Sequence, residues 1–115
     1  MKKAKLVIWD LDESFWKGTL SEGEVERIPQ NLEIVKKLTD RGIVNSIVSK
    51  NDFDKVAEVL RKWEILDYFV FPKVTWNPKG EIVKSLLDDF KLRAENVLFV
   101  DDNQSNKRWS TIIKV

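Results

Sequence analysis

Two aspartates, Asp10 and Asp12, follow directly on a run of four apolar residues that begins at Leu6. A short apolar run bounded by polar residues is typical of a strand buried on both faces of a parallel sheet. Open α/β sheets bind their ligands at the carboxyl ends of such strands. Carboxylates so close repel each other unless one is protonated or a cation lies between them, and Mg²⁺ suits such a pair. The simpler interpretation is a strand followed by a turn, where Asp is common.

The rest of the chain predicts the elements that would position these carboxylates. Apolar runs alternate with amphipathic segments, which favours a doubly wound, Rossmann-like α/β fold with a mostly parallel, five-stranded sheet. Residues 15–28 contain two glycines and many charges, and they predict a loop or small hairpin held by Phe15, Trp16 and Leu20. The predicted strands are 6–9, 43–48, 68–71, 97–100 and 111–115, and the predicted helices are 29–41, 53–63 and 78–90.

This topology brings several polar residues to one edge, because parallel strands place their carboxyl ends together. Ser49 ends the second strand, and Asp101 and Asp102 follow the fourth. Lys79 lies near the start of the third helix and can join them. Three strand ends that each carry acidic or small polar residues predict a site for a metal ion and a phosphate group. The simpler alternatives are that Ser49 is a strand-end residue or a cap for the next helix, and that Lys79 is a solvated lysine at a helix start, which is the commonest role for such a lysine taken alone.

The composition limits which side chains can take part in catalysis. The chain has 115 residues, 43% hydrophobic and 34% charged, as expected for a single globular domain spanning 1–115. A net charge of +1 gives no electrostatic footprint for nucleic acid or an anionic membrane. The sequence has no Cys and no His, so acid–base chemistry falls to carboxylates, Lys or Tyr68. No signal peptide or membrane span is visible at the start, and a cytoplasmic location is expected.

The ordered motifs resemble those of the haloacid dehalogenase (HAD) superfamily. The match covers nearly the whole chain, from about residue 5 to residue 106. The residues that carry it are Asp10-Leu11-Asp12-Glu13-Ser14, Ser49, Lys79 and Asp101-Asp102. The surrounding segments look like the FkbH-like branch, also called subfamily IIIC; they are residues 47–52, 76–79 and 97–103.

The resemblance implies a Mg²⁺-dependent phosphomonoester hydrolase that forms an aspartyl phosphate. Asp10 would be the nucleophile, and Asp12 would be first the general acid and then the general base. Ser49 would hydrogen-bond a phosphoryl oxygen, and Lys79 would neutralise charge on the nucleophile and the phosphate. Such a reaction depends mainly on positioning and on electrostatic stabilisation of the phosphoryl oxygens.

Further residues receive roles from the same resemblance. The metal would be held by Asp10, Asp101 and Asp102, with Asp12 contributing its backbone carbonyl, and Asp101 is the more certain member of the adjacent pair. Lys50 and Asn51 are expected to shape the loop after Ser49 and are also candidates for phosphate contact. Of the five tryptophans, Trp9, Trp63 and Trp109 are expected to pack in the core. Trp16 and Trp76 flank the predicted site, which suggests a hypothesis of substrate contact.

Two features depart from the family pattern. Ser14 stands where the family usually has Thr or Val, and the segment after Asp102 is short, as in a minimal protein or a domain of a longer one. HAD enzymes usually carry a cap domain, but Ser49 follows Asp12 by only 37 positions, and one helix uses much of that segment. We therefore expect an open cleft that suits a large phosphorylated substrate, or a partner domain or second copy that covers the site.

The sequence is also compatible with other functions. Some FkbH-like proteins transfer a glyceryl unit to a carrier protein, with chemistry associated with a cysteine that this chain lacks. A phosphoryl- or glyceryl-transfer domain that acts with a carrier protein is therefore the alternative to a phosphatase. A non-catalytic phosphate-binding module is a further alternative, although Asp10, Asp12, Ser49 and Lys79 are all present. A receiver domain is disfavoured, because its phosphorylated Asp follows a later strand.

Overall fold

A computed structural model describes residues 4–101, apart from the side chains of Lys79 and Ala94. Its strands are β1 (Leu6–Trp9), β2 (Trp16–Lys17), β3 (Glu26–Arg27), β4 (Val44–Ser49), β5 (Lys73–Val74) and β6 (Val97–Val100). Its α-helices are α1 (Pro29–Asp40), α2 (Phe53–Lys62) and α3 (Lys79–Phe90). None of the helices among these residues is long and apolar enough to cross a bilayer.

The main sheet has four strands in the order β5-β4-β1-β6, and every pairing in it is parallel. β1 lies between β4 and β6, with Trp9 opposite Ile47 on one side and opposite Val100 on the other. All four residues of β1 are buried, as predicted for a central strand. The α/β prediction is therefore confirmed, and the first and fourth predicted strands, β1 and β6, are neighbours in the sheet.

Helices cover both faces of the sheet, because the side chains of β1 alternate between two apolar clusters. Val7 and Trp9 belong to the cluster that includes the buried residues of α1 and α2. Leu6 and Ile8 belong to the cluster that includes Ile82 and Leu86 of α3. This arrangement is the doubly wound architecture that the alternation of strands and helices predicted.

The helices begin and end close to the predicted residues. α1 begins with Pro29, a residue whose fixed φ suits the first helical turn. α2 is capped by Asp52, whose carboxylate accepts a hydrogen bond from the backbone N–H of Asp54 at 3.2 Å. The segment between β1 and α1 forms the small antiparallel hairpin of β2 and β3, with Trp16 opposite Arg27. The hairpin prediction is thus confirmed.

The prediction of a strand at 68–71 is wrong. Residues Leu66–Tyr68 form a 3-10 turn, and Phe69 makes only an isolated bridge to Asn45. The chain then bends at Phe71, which has a φ of +50°, and the strand β5 begins after Pro72. Pro72 therefore precedes the edge strand and does not end it. The predicted strand at 111–115 lies outside the described residues.

A buried Asn joins β1, β4 and α1. The Oδ1 atom of Asn45 accepts a hydrogen bond from the indole N–H of Trp9 at 2.9 Å. Its Nδ2 atom donates to the carbonyl of Val35 at 3.1 Å and to the hydroxyl of Thr39 at 3.2 Å. Both side-chain polar atoms of Asn45 are thus satisfied inside the apolar layer, as a buried amide requires.

Candidate active site

Asp10 and Asp101 lie at the same level on neighbouring strands. The backbone N–H of Asp10 donates to the carbonyl of Val100 at 2.9 Å, which continues the β1–β6 pairing by one residue. Neighbouring strands are about 4.8 Å apart, so the backbones of the two residues lie side by side at the carboxyl edge of the sheet. The chain thereby brings together two of the residues predicted to hold a metal ion.

The chain turns sharply after Asp10. Asp12 is extended, with φ −59° and ψ 128°, and Glu13 adopts a left-handed conformation with a φ of +56°. The turn closes with hydrogen bonds from Phe15 N to Asp10 O at 3.3 Å and from Glu13 N to Gly18 O at 3.2 Å. Phe15 anchors it, because its buried ring packs edge to face on Trp9 with ring centroids 5.1 Å apart. This turn directs Asp12 away from the line of β1.

The carboxylate of Asp12 is held by three N–H donors. Its Oδ1 atom accepts from the indole Nε1 of Trp16 at 3.0 Å and from the backbone N–H of Leu20 at 3.0 Å. Its Oδ2 atom accepts from the Nδ2 of Asn51 at 2.9 Å. The donors come from the hairpin, from the turn that follows β2 and from the loop after β4. Asp12 is therefore fixed by two nearby donors and by Asn51, which is 39 residues away in the sequence.

Ser49 and Asn51 form a buried pair next to Asp12. The Nδ2 atom of Asn51 also donates to the hydroxyl oxygen of Ser49 at 3.1 Å, and both side chains are buried. The carbonyl of Ser49 accepts from the backbone N–H of Thr75 at 3.0 Å, which ties the end of β4 to the loop after β5. Asp52 caps α2, so the alternative in which Ser49 is a helix cap does not apply.

Ser14 lies beside Asp10. Its hydroxyl donates to the Oδ2 atom of Asp10 at a long 3.5 Å. The Nδ2 atom of Asn31 donates to the carbonyls of Ser14 at 3.3 Å and Phe15 at 3.0 Å, so the first turn of α1 stabilises the turn after β1. The hydroxyl at position 14 is thus placed to orient the Asp10 carboxylate.

The remaining predicted site residues are less completely described. Lys79 is the first residue of α3, but its side chain lies outside the described part of the structure. Lys50 follows β4 and is exposed. Asp102 lies outside the described residues, so its place in the site stays a prediction.

The hypothesis that Trp16 contacts substrate is wrong, because its side chain is 0% exposed. The indole instead packs edge to face on Trp63, with ring centroids 5.8 Å apart, and donates to Asp12. Trp9 and Trp63 pack in the core as predicted. Trp76 is 65% exposed in the loop that leads to α3.

The carboxylates fit Mg²⁺ as one or two ligands among several. In residues 4–101, no group of three carboxylate or imidazole side chains is arranged to hold a metal ion by itself. Mg²⁺ does not require one, since it usually keeps several waters and combines one or two carboxylates with substrate phosphate. Asp10 and Asp101 supply two such carboxylates at one sheet edge, whereas the side chain of Asp12 is occupied by N–H donors. The donor set therefore fits the ion.

Sequence reasoning identified the carboxylates but missed their supports. The hydrogen bonds from Trp16, Leu20 and Asn31 to the turn after β1 were not predicted. Asp12 and Trp16 are four residues apart, as are Asp10 and Ser14, which is compatible with contact across a tight turn. Nothing in that spacing alone shows that the turn would form, because it depends on a left-handed Glu13.

Comparison with known proteins supports the same family. Residues 7–109 match the haloacid dehalogenase-like hydrolase family. No curated protein matches the chain at a significant level. The FkbH-like branch is not tested by the family match and stays a prediction.

Solved structures share the fold. The N-terminal part of a Bacteroides fragilis protein, which contains a phosphatase domain and is complexed with Mg, has a TM-score of 0.82 and 24% identity over 93% of this chain and 33% of that one. A putative 3-deoxy-D-manno-octulosonate 8-phosphate phosphatase from Vibrio cholerae has a TM-score of 0.68 and 18% identity, and the match covers 93% of this chain and 60% of that one. The Moraxella catarrhalis 3-deoxy-D-manno-octulosonate 8-phosphate phosphatase was solved in complex with magnesium, phosphate and KDO. It has a TM-score of 0.62 and 16% identity, and the match covers 84% of this chain and 56% of that one. The chain thus spans a third to three-fifths of the length of these structures.

Proposed function

Because this chain belongs to the haloacid dehalogenase-like hydrolase family, we propose that it is a Mg²⁺-dependent phosphatase that works through an aspartyl phosphate. The observation that carries the proposal is the β1–β6 pairing, which places Asp10 beside Asp101 at the carboxyl edge of the sheet. Asp12 and Ser49 lie at the same edge and are linked through Asn51. These groups are the ones that phosphoryl transfer to a carboxylate requires.

Asp10 and Asp101 would hold the ion, with Asp102 as a further candidate ligand and the backbone carbonyl of Asp12 completing the protein's share. When bound, Mg²⁺ supplies positive charge that stabilises the phosphoryl oxygens and keeps the nucleophilic carboxylate ionised. The protein's own contribution is to fix the carboxylates on two hydrogen-bonded strands, so that little reorganisation is needed during the reaction.

In the first half of the reaction, a carboxylate oxygen of Asp10 attacks phosphorus. A bond forms between that oxygen and phosphorus while the bond from phosphorus to the leaving oxygen breaks. Asp12 gives its proton to the leaving oxygen, which departs as an alcohol. In the second half, a water molecule gives a proton to Asp12 and attacks phosphorus. The bond from phosphorus to the Asp10 oxygen breaks, which releases inorganic phosphate and restores the Asp10 carboxylate.

Ser49 and the lysines would bind the phosphate group. The hydroxyl oxygen of Ser49 accepts from Asn51, so its own hydrogen is available to donate to a phosphoryl oxygen. Lys79, at the start of α3, would neutralise charge on the phosphate, and the exposed Lys50 is a second candidate for this contact.

The substrate class follows from the openness of the site. Between Asp12 and Ser49 the chain holds a small hairpin and α1, and between Ser49 and Lys79 it holds α2 and β5, so neither segment contains an inserted domain. Phe53 and Trp76 are exposed in segments that follow β4 and β5. The proposal therefore extends to a substrate whose bulk lies outside the cleft, such as a phosphorylated macromolecule, or to a partner that covers the site.

The direct test is hydrolysis of p-nitrophenyl phosphate by the purified chain with Mg²⁺. We expect turnover that EDTA abolishes and added Mg²⁺ restores. Asp10→Asn should lower kcat by at least about 1,000-fold, because an amide cannot form the covalent intermediate. Incubation with substrate should leave phosphate on the wild-type protein and not on the variant.

Asp40→Asn provides the matched control. Asp40 is an exposed carboxylate at the end of α1, which leads to the opposite edge of the sheet. This variant should keep the wild-type rate. Turnover that survives EDTA, or an Asp10→Asn variant as active as Asp40→Asn, would contradict the proposal.

A further inference from the structure

The hydrogen bonds around Asp12 identify which of its atoms handles the proton. We propose that Asn51 and Trp16 are positioning residues that present the Oδ2 atom of Asp12, and not Oδ1, for proton transfer. This inference depends on the proposed function, in which Asp12 is the general acid and base.

The two carboxylate oxygens differ in their free lone pairs. A carboxylate oxygen accepts about two hydrogen bonds. Oδ1 already has two, from Trp16 Nε1 and Leu20 N, both at 3.0 Å. Among the side chains that the structure describes, Asn51 is the one donor that contacts Oδ2, at 2.9 Å. A proton exchanged with substrate or water therefore has a place on Oδ2 and none on Oδ1.

The orientation of the Asn51 amide is determined by its neighbours. An ionised carboxylate only accepts hydrogen bonds, so Asn51 must turn its NH₂ group toward Asp12. The second amide hydrogen then points to the hydroxyl oxygen of Ser49 at 3.1 Å. Both hydrogens are thus committed, which leaves Asn51 no donor for a phosphate. Its proposed role therefore differs from the predicted phosphate contact. Asn51 fixes the position of the Asp12 carboxylate relative to the Ser49 hydroxyl.

Packing fixes Trp16 in the same way. Its side chain is 0% exposed, and its ring packs edge to face on Trp63. The indole cannot rotate without breaking that contact, so the donor to Oδ1 stays in place. A displacement of about 1 Å in a catalytic group costs on the order of 100-fold in rate, which makes such fixation consequential.

Two substrates separate this role from general structural support. p-Nitrophenolate leaves without help from an acid, whereas the alkoxide of glycerol 2-phosphate needs a proton. We expect Asn51→Leu to lower kcat/KM for glycerol 2-phosphate by about 100-fold and Trp16→Phe by about 10-fold. For p-nitrophenyl phosphate, the loss should be below about 3-fold in Trp16→Phe and about 10-fold in Asn51→Leu, because the latter also removes the bond to Ser49. kcat/KM is the suitable quantity, because it includes the step in which the leaving group departs.

Trp63→Phe is the matched control for Trp16→Phe. It makes the same ring change in the same aromatic pair but removes no donor to Asp12. Its loss for glycerol 2-phosphate should be clearly smaller than that of Trp16→Phe, because a phenyl ring can still pack on Trp16 and the indole N–H stays available to Asp12. In an Asp12→Ala background, Trp16→Phe should cause no further loss, since residues that act as a unit are not additive. Equal losses on both substrates, or a full loss in the Asp12→Ala background, would overturn the inference.

Nuclear magnetic resonance separates this inference from the proposed function. The indole N–H signal of Trp16, assigned by its loss in Trp16→Phe, should shift in Asp12→Ala and not in Asp40→Asn. If the wild-type chain hydrolyses no phosphate ester, the proposed function fails, and the indole shift still tests the contact. If the chain is active but the indole signal is insensitive to Asp12→Ala, the positioning role alone is refuted.

Discussion

At the scale of single residues, the turn that carries Asp12 contains a conformational cost. Glu13 has a φ of +56°, where an L-residue other than Gly, Asn or Asp is disfavoured by roughly 1 kcal/mol or more. The Glu13 side chain is exposed, so packing does not compensate the cost. The turn is kept by its closing hydrogen bonds and by the buried Phe15.

Glu13→Asn should therefore stabilise the protein. We expect the free energy of unfolding to rise by about 0.5–1 kcal/mol, because Asn tolerates the left-handed region better than Glu. Urea denaturation measures the change. Glu24→Asn is the control, since Glu24 is also exposed outside the helices and strands but has no positive φ, and it should change stability little. A loss of stability in Glu13→Asn would show that the Glu side chain has a stabilising role there.

The positions of the acidic residues were predictable, but their contacts were not. Asp10 and Asp101 follow apolar strands, and that pattern is local in the sequence. The bond from Asn51 to Asp12 joins residues 39 apart, and it depends on β1 and β4 pairing in a particular register. Such contacts follow from the assembled sheet, so a local pattern cannot reveal them.

At the scale of elements, Asn45 couples the central strands to a helix. It accepts from the Trp9 indole and donates to Val35 and Thr39 near the end of α1. This residue lies on one buried strand and satisfies groups on two other elements. Its removal would leave polar groups without partners inside the core, where each costs about 1–3 kcal/mol.

Asn45→Leu should lower the free energy of unfolding by about 2–4 kcal/mol, because it leaves the buried Trp9 N–H without its acceptor and removes the two bonds to Val35 and Thr39 of α1. Adding Trp9→Phe should cost less in this variant than in wild type, since the orphaned donor is then absent. Urea denaturation of the two single variants and the double variant measures the coupling. Strict additivity would contradict a direct contribution from the hydrogen bond.

The elements themselves were well predicted where their signals are local. Apolar periodicity and the end residues gave the three helices, and continuous apolar runs gave β1, β4 and β6. β5 was misplaced, because its two residues carry no such run and the apolar stretch before them forms a 3-10 turn and a bend at Phe71.

At the scale of the whole molecule, the surroundings of the proposed site at the carboxyl edge of the sheet determine which substrates can be bound. Neither segment between the site residues Asp12, Ser49 and Lys79 contains an inserted domain that would enclose a ligand. On the proposed function, we therefore expect the described residues to hold a small sugar phosphate mainly by its phosphate group.

We expect kcat/KM for a phosphorylated protein, with phosphocasein as the probe, to exceed that for 3-deoxy-D-manno-octulosonate 8-phosphate by at least about 10-fold, because exposed residues around the open edge contact more of a large substrate. Phosphate release under identical Mg²⁺ concentrations measures both rates. Efficient hydrolysis of the small sugar phosphate by a monomer would contradict this expectation.

The strand order also has a consequence for how the chain folds. β1 and β4 are separated by one hairpin and one helix, whereas β1 meets β6 only after nearly the entire described chain has been traversed. Pairings between such remote segments form slowly, since a long loop must close first. The contacts among Asp12, Asn51 and Ser49 need only β1 and β4, so they can form early during synthesis or refolding. The pairing of Asp10 with Asp101 needs β6 and forms later. The proposed metal site would therefore form later than the contacts that hold Asp12.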